Sequence, residues 1–163
     1  VSPHTIPAPL LLDATSPQRA HRFELPAQRS SVAVARRSVD AWLGSRQLPA
    51  DVRADAALLV SELVTNAVIH TPSTRVLCAV ELVPDAGLGL GVHDEDVTGR
   101  GLPPCRPGTD DESGRGLLLV REIAAAWGVE RSALTGGNVV WATLTWPSRW
   151  PPCGPAAQGP TGD

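Results

Sequence analysis

Residues 61–70 read SELVTNAVIH. Leu63, Val64, Ala67, Val68 and Ile69 supply the apolar body of a buried helix, yet Glu62 and Asn66 stand among them one helical turn apart. At about 100° per residue the two polar side chains project about 40° from each other, at the edge of the stripe headed by Leu63. Two readings fit this spacing: a solvated flank that tolerates a Glu and an Asn, or a polar pair aimed at a ligand. Asn is a poor helix former in mid-helix, where Ala or Leu would fit better. The surrounding sequence has to decide between them.

Upstream, Pro49 stands before this helix and Asp51 is the expected N-cap; Val52, Ala56, Leu59, Val60, Leu63 and Ala67 form its stripe, and Pro72 ends it near His70. Residues 28–45 place Val32, Ala35, Val39 and Trp42 at helical spacing, which predicts an earlier amphipathic helix. HRFEL (21–25) reads as a short strand. Downstream, TRVLCAVELV (74–83), a PDAG turn and LGLGVHD (88–94) read as a strand pair. Residues 95–113 make a long Gly/Pro/Asp loop, and GLLLVREIAAAWG (116–128) is expected to be a third helix stopped by Gly128. VERSAL, TGGN and VVWATLTW complete a closing hairpin. Hairpin-linked strands with helices over one face predict an α+β two-layer sandwich on a mostly antiparallel sheet. GLGLG (87–91) lies inside a strand and lacks GxGxxG spacing, so it is not a dinucleotide fingerprint.

The chain of 163 residues suits one domain. Its foldable part is expected at 21–146, between a Pro-containing segment 1–20 and a Pro/Gly-rich tail 147–163, both expected to be disordered. No apolar run approaches the ~18 residues of a membrane span, and the first residues carry no basic region leading into an apolar stretch. Cys78, Cys105 and Cys153 are few, odd in number and without a CxxC, which predicts reduced thiols and a cytoplasmic address. A net charge of −3 gives no footprint for nucleic acid. All 14 basic residues are arginine. Without lysine, neither a phosphate-binding P-loop nor the eukaryotic-type protein kinase site can be built.

The strand at 88–94 bears on the polar helix pair. Leu88, Leu90 and Val92 share one face, and the same period puts Asp94 on it. Its carboxylate either enters the gap between helices and sheet, where it needs a hydrogen-bond donor, or turns out to water. Then comes SGRGLLLV (113–120), where Gly114 and Gly116 flank the start of a helix suited to an anion and Arg115 adds a charged donor. Ser113 also reads as a plain N-cap.

In that order, SELVTNAVIH, VHDED, SGRGLLLV and GGNVVWATL resemble the GHKL (Bergerat-fold) ATP-binding domain, in the form of the stand-alone anti-sigma-factor serine/threonine kinases of bacteria. The resemblance spans about Phe23 to Trp146. It implies ATP and Mg²⁺ as cofactors, with Asn66 on the metal and Glu62 as general base for the substrate hydroxyl. It implies further that Asp94 accepts from the adenine amine, that Gly114, Arg115 and Gly116 cradle phosphates, and that 95–113 is a lid. The implied partners are a sigma factor and a STAS-domain antagonist, with neither nucleic acid nor membrane, and a homodimer to which Trp42 or the first helix contributes. An ATP-binding regulatory module with little transfer and a stand-alone histidine-kinase-like catalytic domain are the alternative readings. Two positions depart from the family pattern. Asp94-Glu95-Asp96 replaces the usual Asp-x-Gly, with a glycine pair further on in GRGLPP (99–104), and Ile69 stands where a basic residue is common, followed by His70.

Overall fold

The computed structural model describes residues 19–83, 87–98 and 119–145. Its elements are β1 (Ala20–Pro26), α1 (Ser31–Ser45), α2 (Ala50–His70), β2 (Arg75–Val83), β3 (Gly87–His93), β4 (Ala126–Arg131) and β5 (Asn138–Leu144). The strands form one sheet in the order β1-β2-β3-β5-β4, every neighbouring pair antiparallel. Both helices lie on one face of it, so the expected two-layer α+β architecture is what the chain adopts. The terminal segments expected to be disordered fall almost wholly outside the described residues, as does most of the 95–113 loop.

Period-2 alternation decides what each strand offers the helices. Phe23 and Leu25 of β1, Val76, Cys78 and Val80 of β2, Leu88, Leu90 and Val92 of β3, and Val140, Ala142 and Leu144 of β5 join one core with the helices. The helices close it with Ala35, Val39 and Leu43 from α1 and Ala56, Leu59, Val60, Leu63, Val64 and Ala67 from α2. The helix α2 lies across β2, β3 and β5, while α1 packs on α2 and on β1. α2 is thus the helix that faces the central strands, and its last three turns carry Glu62 and Asn66.

Two local expectations are corrected. α2 has Pro49 at its N-cap, and Asp51 sits in the first turn, where its charge favours the positive end of the helix dipole without capping it. The third helix is also shorter than its sequence suggests. Among the described residues its helical part ends at 123, and Ala126–Arg131 is an edge strand instead. The reason is tertiary. Trp127 and Val129 pack on the main core as a strand's alternate residues do, and Ala125 N–H already bonds the Thr143 carbonyl at 2.8 Å. Gly128 is no helix stop: a Cβ there would lie 2.7 Å from the Trp141 ring, so the indole occupies the space a side chain would need.

Candidate functional site

On α2, Ser61, Thr65 and Asn66 are polar residues in an apolar segment, and they resolve their polarity differently. Ser61 Oγ donates to the Ala57 carbonyl at 2.7 Å and Thr65 Oγ1 to the Ser61 carbonyl at 2.7 Å. These bonds to the preceding turn are the ordinary solution for a hydroxyl inside a helix. Asn66 is too long for it. The residue is only 7% exposed, between buried Val64 and Ala67, and its Nδ2 finds no hydrogen-bond partner among the described residues. A buried amide without a partner costs about 1–3 kcal/mol. The two ends of a carboxamide exchange by rotation of its last torsion, so the same position can present an oxygen. One turn earlier, Glu62 is half-buried, and no described residue holds its carboxylate by a hydrogen bond or an ion pair. The helix therefore carries an unpartnered carboxamide and an unengaged carboxylate on adjacent turns.

Just past the end of β3, Asp94 is 2% exposed, buried as the alternation of Leu88, Leu90 and Val92 leads one to expect. Its Oδ1 accepts the Asp96 N–H at 2.8 Å, the Asn138 N–H at 3.1 Å and Asn138 Nδ2 at 3.4 Å. No described residue donates to Oδ2. Burial raises the carboxyl above its ordinary value; the three donors oppose that rise and the negative charge of Asp96 adds to it. Asp94 is thus a carboxylate with one oxygen saturated by the protein and the other left for a donor from elsewhere.

Its two acidic neighbours are structural. Glu95 Oε1 accepts Thr74 N–H at 2.8 Å, Thr74 Oγ1 at 2.8 Å and Arg75 N–H at 2.7 Å, which ties the end of β3 to the start of β2. Those donors hold its carboxyl below the ordinary range. Asp96 is buried and its Oδ1 accepts from Thr98 N–H at 2.9 Å and Thr98 Oγ1 at 2.6 Å. Gln47 is the one described non-glycine residue with positive φ, so the backbone at Asp96 does not demand the glycine of an Asp-x-Gly motif.

The turn between β4 and β5 lies where TGGN is expected to turn, but its contacts with Asp94 are not foreseen from the sequence. Thr135 Oγ1 donates to the Asp94 carbonyl at 2.5 Å, and a Cβ on Gly137 would fall onto that same carbonyl. His93, on the opposite face of the sheet, shares a 2.7 Å hydrogen bond with Ser132 Oγ, which in turn accepts from the N–H groups of Leu134 and Thr135. Burial, with a smaller contribution from the Arg22 charge, lowers the His93 ring to about 4, so it is neutral at pH 7. TGGN reads as a generic turn in the sequence. Only the pairing of β3 with β5 puts Asn138 against Asp94.

Gly114, Arg115 and Gly116 lie outside the described residues, as do Gly99, Arg100 and Gly101. His70 ends α2 half-buried, Ile69 is 51% exposed, and neither has a bond to Glu62 or Asn66. Among the described residues no three His, Cys, Asp or Glu side chains gather as a metal-holding group, and no helix is long and apolar enough to cross a membrane. A shallow groove lined by Ala33, Arg36, Arg37, Asp40 and Ala57 lies between α1 and α2 and includes none of the site residues.

Residues 25–144 match the family model described as a histidine kinase-like ATPase domain. One relative, the uncharacterized protein SCO4941 of Streptomyces coelicolor, is 37% identical over 76 residues, covering 44% of this chain and 70% of that protein. The fold is similar to that in the crystal structure of the RsbU and RsbW domains of Rv1364c from Mycobacterium tuberculosis. There the TM-score is 0.58 and the identity 22%, over 80% of this chain and 34% of the other. The chain thus spans about a third of that structure's length, and likeness at this identity speaks to fold alone.

Proposed function

The chain belongs to the histidine kinase-like ATPase domain family, and on that footing we propose that it is an ATP-dependent serine/threonine protein kinase acting as an anti-sigma factor on a STAS-type antagonist. One observation carries the reading: the Asn66 Nδ2 is buried without a partner among the described residues, one helical turn from a Glu62 that no described residue engages. A neutral carboxamide oxygen beside phosphate oxygens and water is a donor set that suits Mg²⁺. The residues present therefore fit a magnesium–ATP complex. When bound, the metal neutralises phosphate charge.

The roles follow from what each group lacks. Asn66 would hold the metal. Asp94 Oδ2, without a donor from the described residues, accepts from the adenine amine while Oδ1 stays anchored. Gly114, Arg115 and Gly116 are assigned to the phosphates on the strength of the sequence. Glu62 takes the proton of the substrate hydroxyl. The hydroxyl oxygen then bonds to the γ-phosphorus as the bond to the β–γ bridging oxygen breaks, and ADP leaves. Catalysis of this kind is mostly positioning and charge neutralisation. Support for the serine/threonine and anti-sigma part comes from the resemblance carried by the SELVTNAVIH and SGRGLLLV stretches.

The test is incubation with γ-labelled ATP, Mg²⁺ and candidate STAS-domain proteins. Acid-stable label on a serine or threonine of the partner is the expected product. Glu62→Gln should retain nucleotide affinity and lose transfer by about 10²-fold or more. Acid-labile label, or full transfer by the variant, would overturn the assignment.

A further inference from the structure

Asp94 is held from one direction by a residue 44 positions away in sequence. Asn138 opens β5, is 5% exposed, and turns its carbonyl, its N–H and its side-chain Nδ2 on the Asp94 segment. Its carbonyl accepts the Asp94 N–H at 2.8 Å, its own N–H reaches Asp94 Oδ1 at 3.1 Å, and Nδ2 bonds the Asp96 carbonyl at 2.9 Å as well as Asp94 Oδ1 at 3.4 Å. A residue that needed only to start a strand would not need a side chain with two donors buried here.

We propose that Asn138 is a positioning residue for base recognition: its carboxamide fixes the Asp94 carboxylate as an acceptor-only group and thereby selects a 6-amino over a 6-oxo purine. The inference rests on the reading that Asp94 meets the base. Its physical content is distinct from that reading. Donors on Oδ1 favour the ionised carboxylate and fix its rotation, leaving Oδ2 to take an exocyclic N–H. Burial works the other way, toward a protonated acid that can donate to a carbonyl and so blur the choice. The charged groups near Asp94 do not compensate. Asp96 opposes ionisation, Glu95 is turned to Thr74 and Arg75, His93 is bonded to Ser132, and Arg131 donates to the Val97 carbonyl at 3.1 Å. The Asn138 donors are what remains on the side of the carboxylate, together with the Asp96 N–H.

The sign with pH follows. An amine-accepting Asp94 must be ionised, so affinity for an adenine nucleotide falls as pH drops through its titration. Losing the Nδ2 donor raises that titration further and moves the fall to higher pH. Asn138→Ala retains the backbone N–H, and Asn138→Asp keeps the shape while replacing donors with a charge.

The experiment measures ADP and inosine diphosphate affinity, with Mg²⁺, from about pH 5 to 8 for the intact chain, both Asn138 variants and Asp94→Asn. A hydrogen bond to a charged group supports a loss of about 5-fold or more in ADP affinity for Asn138→Ala and more for Asn138→Asp. The acid midpoint should move up and the preference for ADP should shrink in both. If Asp94→Asn removes the preference while both Asn138 variants keep wild-type affinity, preference and midpoint, the inference about Asn138 is wrong and the adenine reading stands. If Asp94→Asn changes nothing, the adenine reading fails and the inference with it. Unfolding of Asn138→Ala leaves Asn138→Asp to decide the same three readouts.

Discussion

Replacing Asn66 with leucine should make the nucleotide-free protein more stable and remove the magnesium-dependent part of its nucleotide binding. Asn66 is 7% exposed and its Nδ2 has no partner among the described residues, so the folded chain carries a desolvation cost of about 1–3 kcal/mol that leucine would not. The helix gains a further few tenths of a kcal/mol, about 0.4, because leucine is the better helix former. The sum, about 1.5–3 kcal/mol, corresponds to a rise in Tm of about 4–12 °C for a domain of this size. Asn66→Ala, which adds no bulk, should move in the same direction by a smaller amount. The assay is urea or thermal unfolding without nucleotide, then with ADP, and then with ADP and Mg²⁺. Wild type should gain about 2.7 kcal/mol at a ligand concentration 100 times its Kd, and the variants should lose the magnesium-dependent part of that gain. If both variants are less stable than wild type by more than about 1 kcal/mol without ligand, the carboxamide is satisfied by the protein or an ordered water. The central observation would then lose its meaning.

Three other outcomes test the surroundings of the site. Glu95 has a carboxyl held below its ordinary value by three donors, so its contribution to stability is full above about pH 4.5 and is lost as pH falls through the depressed titration. Glu95→Gln should flatten the acid limb of a urea-midpoint curve, and an unchanged limb would remove that linkage. Gly137→Ala forces a Cβ onto the Asp94 carbonyl and should cost about 1–3 kcal/mol together with nucleotide affinity; a neutral result in both would show that the turn yields freely. Cys78 is buried and its thiol is pushed up to about 12, so thiol reagents at pH 8 should modify it only at the rate of unfolding, as peptide mapping would show.

The layers of this fold were legible because they depend on local periodicity. The stripe from Val52 to Ala67 and the alternation of Leu88, Leu90 and Val92 put both halves of the core where the structure has them. Asp94 followed from the same alternation and is buried as expected. The stretch Ala124–Gly128 failed because alanines favour a helix locally, while Trp127 and Gly128 are claimed by the main core and by the Trp141 ring. A strand signal was present in the alternation of Trp127 and Val129 against Gly128 and Glu130. Asn138 was out of reach for a different reason. Its partner lies 44 residues back, and only the register of β3 against β5 brings them together. The exchange of glycine for Asp96 became understandable only when its side chain was seen bonding Thr98.

The most direct measurement is a crystal structure of the chain with Mg²⁺ and a non-hydrolysable ATP analogue. The account predicts the Asn66 carboxamide oxygen on the metal at about 2.0–2.1 Å and Asp94 Oδ2 within hydrogen-bond distance of the adenine amine. A nucleotide bound away from α2 and β3, or an Asn66 side chain that stays off the metal, would contradict it.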